Sequence, residues 1–188
     1  MPQPITREHP LRRLFTGLTE RTFFEGLAWP DPEVTGYVAD LLTDFAHVDN
    51  VYKIRNARGQ RVHEVAGMLA EGELLHRATS VEREREVHKH IGDYTLFMTG
   101  LFPEFVARQA QSGLAVSRDA FLDYVRTGKH SYWVVSEFPL GRHGPAAPLF
   151  RKLSENFELC VYGLGHIRAE LDRLRDPAVR RVWGSLLE

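Results

Sequence analysis

Histidines at helical distance from carboxylates are the residues whose spacing suggests chemistry in this chain. Asp44 and His47 are three residues apart, and Glu86, His90 and Asp93 follow one another at offsets of four and three. On a helix these offsets place side chains along one stripe. An imidazole and a carboxylate one turn apart can bind the same ion, as in the metal sites of helical bundles. The sequence therefore predicts that these five residues form a site for a divalent transition metal.

The same stripes have a simpler interpretation. With nine histidines and 25 acidic residues in the chain, several such pairs arise by chance, and surface pairs at these offsets stabilise a helix modestly. Phe97 continues the stripe of Glu86, His90 and Asp93, which favours partial burial of that trio. Without an ion, the trio is expected to form a buried hydrogen-bonded relay in which a carboxylate fixes the tautomer of the imidazole.

Two acid-x-x-His motifs, Asp44–His47 and Glu73–His76, resemble part of the ligand set of ferritin-like di-iron bundles. Those bundles use two Glu-x-x-His motifs and a glutamate from each of two further helices. The resemblance covers only these short motifs, because one of the two pairs has aspartate and the pairs fall on adjacent predicted helices.

Glycines interrupt two of the predicted helices, at Gly92 and Gly100 and in the stretch Gly163-Leu164-Gly165-His166. In this respect the chain resembles the haem-oxygenase-like fold. Glycine in a helix interior costs about 1 kcal/mol relative to alanine. These glycines are therefore expected to let a ligand, or more simply a neighbouring helix, approach closely, and His166 is a candidate ligand-binding residue.

The stretch Lys129-His130-Ser131-Tyr132-Trp133 combines aromatic and polar side chains. His130 and Tyr132 could be the polar tips on an apolar pocket wall, which makes them candidate ligand-binding residues. An edge of the core explains the stretch equally well.

Catalytic motifs of known mechanism are absent from the sequence. There is no Walker phosphate loop, no G-x-S-x-G elbow, no H-E-x-x-H and no dinucleotide-binding fingerprint. Cys160 stands in the apolar register of a helix, where a packed, unreactive thiol is expected. The sequence therefore predicts no catalytic residue.

Composition and charge describe an ordinary globular protein. The 188 residues are 43% hydrophobic and 26% charged, enough for one domain over 1–188 with a substantial core. Because 24 basic residues balance 25 acidic ones, nucleic acid is not an expected partner, and the basic run from Lys53 to Arg61 is interpreted as a solvated loop. The single cysteine, the polar N-terminus and the lack of a long apolar run predict a cytoplasmic protein without membrane segments.

Apolar spacing of three and four residues predicts an all-α bundle of six or seven helices. Helices are expected over about 10–27, 34–52, 62–75, 81–101, 117–128 and 148–174, with a short one after Asp176. Asp31 and Pro32 are expected to begin the second helix, and the capping-box sequence 79–82 the fourth. A small β-hairpin over 52–62 is an alternative, and 131–135 is the one plausible strand.

The last long helix carries an apolar register of nearly four heptads, from Phe150 to Leu174. It is expected to be a central strut of the core. Together with Val182, Trp183 and Leu186, the register also suggests a symmetric homodimer. Residues 1–9 are expected to be irregular, and 139–148, with three prolines and two glycines, a long loop.

Two functional classes remain open at this point. One is a ligand- or metal-binding helical bundle with a carboxylate and histidine site. The other is a non-catalytic interaction protein that oligomerises through its long C-terminal helix. No substrate or reaction follows from the residues.

Overall fold

The computed structural model describes residues 9–56, 58–62, 64–77, 81–111, 119–138, 146–174 and 184. Within these residues the chain forms nine α-helices, one π-helical segment and no strand, which confirms the predicted all-α bundle with more helices than expected. The helices are α1 (Pro10–Glu20), the π-helix (Arg21–Gly26), α2 (Pro32–Asp44), α3 (Val48–Val51), α4 (Val65–Arg77), α5 (Val81–Leu101), α6 (Pro103–Gln111), α7 (Ala120–Ser136), α8 (Ala147–Glu155) and α9 (Phe157–Leu174).

Helix α5 forms the centre of the bundle. All of its residues from His90 to Leu101 are buried, and it packs against α4, α7 and α9. Apolar side chains on every side of this stretch need cover from other helices, since exposed apolar surface costs free energy in water. The remaining helices therefore surround α5, and polar side chains on its buried half need partners inside the protein.

Small residues allow the helices around α5 to approach it closely. A Cβ atom added at Gly92 would lie 2.5 Å from the ring of Tyr132 on α7, and one at Gly100 would overlap Leu164 on α9. The interior glycines of α5 thus accommodate neighbouring helices, which confirms the simpler of the two explanations that the sequence offered.

The second predicted helix is shorter than its apolar pattern suggests. Asp31 caps α2 as predicted, with its carboxylate accepting hydrogen bonds from the backbone amides of Glu33 and Val34. The helix ends at Asp44, whose carbonyl accepts a hydrogen bond from the Asn50 side-chain amide at 2.8 Å. Because this bond satisfies a carbonyl that the helix end leaves free, the chain can turn before α3.

Residues 54–56 and 58–62 follow the hairpin alternative in a minimal form. Arg55 and Arg61 form an isolated antiparallel bridge, and the amide of Val62 donates to the carbonyl of Ile54 at 2.9 Å. Gly59 takes a φ of 76°, which a residue with a side chain rarely adopts. The next helix accordingly begins at Val65 instead of Val62.

The predicted strand at 131–135 is wrong, because these residues belong to α7, which continues through Gly128. Packing against α5 on one side and α8 on the other favours the helix over the local β propensity of Tyr132, Val134 and Val135. Asp119 begins this helix by accepting a hydrogen bond from the amide of Leu122.

The last long helix is divided at Asn156 into α8 and α9. Its heptad positions from Phe150 to Leu171 are nevertheless in the core, each 2% exposed or less, whereas the last one, Leu174, is 55% exposed. From Phe150 to Leu171 that face is therefore covered within the protein and is not available to a second subunit. Self-association stays a prediction.

Several expectations lie outside the described residues. They are the irregular segment 1–8, the cap at 79–80, the cap at Ser117, most of the loop at 139–145 and the apolar residues of the C-terminal segment, Val182, Trp183 and Leu186. Among the helices that are described, none combines the length and the apolar character needed to cross a bilayer.

Replacing Phe157 by alanine is expected to lower the free energy of unfolding by about 3–5 kcal/mol, because its fully buried ring would leave a cavity beside Gly128 and Tyr132. The control is Tyr162→Ala on the same helix, where the side chain is 60% exposed, with an expected change within about 0.5 kcal/mol. Equal urea midpoints for the two variants would contradict the placement of α9 in the core.

Candidate functional site

A buried carboxylate, Asp93 on α5, is the centre of the most extensive polar network among the described residues. It is 2% exposed. The hydroxyls of Tyr37 and Tyr132 both donate to its Oδ1, at 2.5 and 2.8 Å, and the Lys89 ammonium donates to its Oδ2 at 2.7 Å. Three donors from three helices, α2, α5 and α7, thus converge on a single side chain.

These donors keep the Asp93 carboxylate charged. Burial alone would raise the pKa of Asp93, but the charge of Lys89 and the hydrogen bonds from Lys89 and the two tyrosines outweigh it and lower the pKa. Burial and the nearby Asp93 charge have the opposite effect on the phenols, raising the pKa of Tyr37 and of Tyr132 well above the usual value. The network therefore consists of an anion and three protonated donors.

Aromatic packing fixes the orientation of these donors. The Tyr37 ring lies edge-on to Tyr132 and to Phe150, at centroid distances of 6.3 and 5.5 Å. The Lys89 ammonium lies 5.1 Å from the centre of the Tyr37 ring, within range of a cation–π interaction. Gly92 matters here, because only a residue without Cβ leaves room for the Tyr132 ring beside Asp93.

A cavity of about 230 Å³ opens beside this network. Its lining includes apolar side chains and charges of both signs, from residues of α2, α3, the following segment and α5: Tyr37, Asp40, Leu41, Asp44, Phe45, Asn50, Lys53, Lys89 and Asp93. The break after α2 creates this cavity, because the chain turns away from the axis of α2 at Phe45 and runs back along α3.

Two charges at this cavity have shifted pKa values. Partial desolvation raises the pKa of Asp44, although its side chain is exposed at the rim; the negative charge of Asp40 adds to the effect and the positive charge of Lys89 opposes it. Desolvation by the surrounding protein lowers the pKa of Lys53, although its side chain stays exposed at the rim and Asp93 partly compensates. Both shifts favour the neutral form, as expected for ionisable groups without a close partner.

His90 is completely buried beneath this region and does not face Asp93. Its Nε2 lies 3.1 Å from the Val51 carbonyl, so this nitrogen carries the proton. Its Nδ1 has no hydrogen-bond partner among the described residues. Burial, with the nearby charge of Lys53, lowers the pKa of His90 to about 3, and the imidazole is neutral at ordinary pH.

The five residues predicted as a metal site do not converge. Glu86 is exposed and pairs with Arg83, at 3.3 Å, and Asp93 is held by its three donors. His90 has one nitrogen without a partner among the described residues, but it is buried away from the other four residues. Asp44 lies at the cavity, and His47 is half-buried beyond the end of α2. The described residues contain no group of three or more His, Cys, Asp or Glu side chains that could hold an ion. The structure does not describe the side chains of Glu73 and His76.

The three residues predicted to bind a ligand are in three different places. Tyr132 is part of the buried network. His130 is exposed and stacks on Trp133, with ring centroids 5.8 Å apart. His166 lines a second cavity, of about 410 Å³, between α9 and the π-helix. Sequence reasoning thus found one member of the network besides Asp93.

Tyr37, Lys53 and Lys89 were missed. The four-residue offset between Lys89 and Asp93 was readable from the sequence as a helical ion pair. Lys53 is exposed, as the interpretation of its basic run as a solvated loop implies, but its place at the cavity depends on contacts that the run does not indicate. Tyr37 lies 56 residues from Asp93, so no local pattern indicated their contact.

Comparison of the chain with family models, with curated proteins and with solved structures gives no match. The functional argument therefore depends on the geometry of this site alone.

The buried, neutral imidazole predicts a pH dependence of stability. The pKa of His90 is lower in the folded state than its usual 6.5, so its contribution is complete above that pH and is lost as the pH falls towards 3, while the unfolded chain takes up the proton. Between pH 6.5 and about 4.5 we expect this histidine to remove roughly 2 kcal/mol of stability.

Urea unfolding across this pH range checks the expectation with two variants. His90→Gln, whose amide can still donate to Val51, should lose stability less steeply than the wild-type protein. The exposed His130→Gln should follow the wild-type curve. Parallel curves for all three proteins would show that His90 does not titrate differently on unfolding.

Proposed function

We propose that this protein binds a small polar molecule in the cavity beside Asp93. The observation that carries the proposal is the charged, buried carboxylate of Asp93, held by Tyr37, Tyr132 and Lys89 at the cavity wall. A buried ion pair contributes little net stability, since apolar side chains of similar volume stabilise a core as well or better. Ionisable groups with shifted pKa values around a cleft are typical of functional sites.

The same geometry supports binding over catalysis. The lone pairs of Asp93 that point to the network are used by three donors, and both tyrosines keep their protons because their pKa values are raised. No group of the network is therefore available as a base. What the network supplies is a fixed, polar wall next to the apolar side chains of Leu41 and Phe45, the combination that small-molecule sites use.

The second cavity supports a ligand less well, although it is larger. Its charged side chains lie at the surface and are paired with each other, as Arg21 and Glu170 are at 3.2 Å. Its lining includes one buried polar side chain, Thr22, but no buried charged side chain comparable to Asp93. The second cavity therefore lacks the buried, oriented charge on which the proposal for the first cavity depends.

The volume is adequate for a small metabolite. A cavity of about 230 Å³ has space for a molecule with roughly five to ten non-hydrogen atoms, since even a single water needs only about 10–15 Å³ of such space.

Titration of ¹⁵N-labelled protein with a panel of such metabolites, spanning anions, cations, zwitterions and neutral polar compounds, tests the proposal. At least one compound is expected to cause saturable chemical-shift changes at the amides of Asp44, Lys53 and Lys89, which surround the cavity. The amides of Thr22 and His166 at the second cavity serve as the internal control.

A pair of neighbouring substitutions separates the cavity from the nearby surface. Asn50→Trp places a large ring at the cavity lining and should abolish binding, whereas Asp49→Trp, one residue earlier and outside the lining, should not. Binding that survives Asn50→Trp, or shifts confined to Thr22 and His166, would contradict the proposal, as would a panel in which nothing binds.

A further inference from the structure

The cavity contains five charged side chains, and three of them already have a partner. Asp93 pairs with Lys89 at 2.7 Å, and Asp40 pairs with Arg12. The charges left are the Asp44 carboxylate and the Lys53 ammonium. Neither has an ion-pair partner among the described residues, and they do not pair with each other, although both line the same cavity.

The environment of these two groups calls for opposite charges. Desolvation and the carboxylate of Asp40 raise the pKa of Asp44, and the charge of Lys89 compensates only in part, so an ammonium group in direct contact would favour its charged form. Desolvation lowers the pKa of Lys53, and the charges of Asp93 and Asp44 compensate only in part, so a carboxylate in direct contact would favour its charged form. Each group thus feels opposite charges at a distance but has none in direct contact among the described residues.

A ligand with a single charge can pair with only one of these two side chains. An anion that reaches Lys53 brings its charge close to Asp44, and a cation that reaches Asp44 brings its charge close to Lys53. A neutral molecule compensates neither group. Only a ligand with an ammonium and a carboxylate on the same small skeleton can pair with both.

We propose that the ligand of this cavity is a small zwitterion, a free amino acid with a modest apolar side chain, whose carboxylate pairs with Lys53 and whose ammonium pairs with Asp44. The inference rests on the proposed function of the cavity and names its ligand class. Leu41, Phe45 and the Tyr37 ring supply the surface for the apolar side chain, and about 230 Å³ is adequate for a molecule of this size.

Calorimetric titration with matched probes tests the charge requirement. L-Alanine, L-valine and L-leucine are each compared with the acid that lacks the amino group and with the amine that lacks the carboxylate. At least one amino acid is expected to bind ten or more times more tightly than both of its counterparts, because each counterpart leaves one charged side chain of the cavity uncompensated.

Variants assign each half of the zwitterion. Lys53→Gln should weaken the binding of the amino acid tenfold or more and leave the binding of the matched amine unchanged. Asp44→Asn should also weaken the binding of the amino acid tenfold or more, and it should leave the binding of the matched acid unchanged. Arg55→Gln and Asp49→Asn, which remove like charges from nearby positions outside the lining, are the matched controls and should bind as the wild-type protein does. Thermal melts of all four variants verify that they are folded.

The outcomes separate this inference from the proposed function. If an acid, an amine or a neutral compound binds in the cavity as tightly as any amino acid, the zwitterion inference is overturned and the binding function stands. If no compound of any class perturbs the cavity, both fail. Selective binding of an amino acid that both Lys53→Gln and Asp44→Asn weaken establishes the inference.

Discussion

The charged carboxylate of Asp93, in the middle of the most buried helix, is the constraint on which the arrangement of this protein depends. A carboxylate that loses its water must recover the lost interactions from the protein, and an incomplete set of partners would leave a charge in the core at a cost of several kcal/mol. Tyr37, Tyr132 and Lys89 supply the complete set. Their directions fix how α2 and α7 lie against α5, and Gly92 leaves the space that one of them needs.

The cavity is a consequence of the same arrangement. Helix α2 must bring Tyr37 to Asp93, yet the helix ends at Asp44, within two turns of Tyr37. The chain then leaves the surface of α5 and returns by α3, where Val51 covers His90. Between the departure and the return lies a space bordered by the network on one side and by Asn50 and Lys53 on the other. The polar lining is therefore set by the backbone path as much as by the choice of side chains.

The fold class was predictable from the sequence because helical periodicity is a local signal. Val34, Val38 and Leu41 recur at three and four residues and are all buried in α2. Helix ends were predicted where a local device marks them, as at Asp31, and were missed where the device comes from elsewhere in the chain, as with Asn50 and the end of α2. Residues 131–135 illustrate the limit, since their strand-like composition was overruled by packing against two other helices.

The candidate site was only half predictable for the same reason. His90 and Asp93 were recognised as partly covered, and Asp44 as a candidate site residue. Their roles depend on contacts across the chain: His90 meets a carbonyl 39 residues away, and Asp93 meets hydroxyls from two other helices. Two residues on one helical stripe can therefore belong to different environments, and helical spacing does not distinguish a shared site from two adjacent ones.

The separation of the Asp93 partners along the chain also sets the order in which the protein can assemble. Tyr37 lies 56 residues before Asp93 and Tyr132 lies 39 residues after it, so both contacts require large loops to close. Until the two hydroxyls arrive, the carboxylate retains its water, and the central stretch of α5 cannot become dry. Early stages of folding should then join helices that are close in sequence, such as α1 with α2 and α7 with α8, and water should leave α5 in a late, cooperative step in which α2 and α7 close over it together.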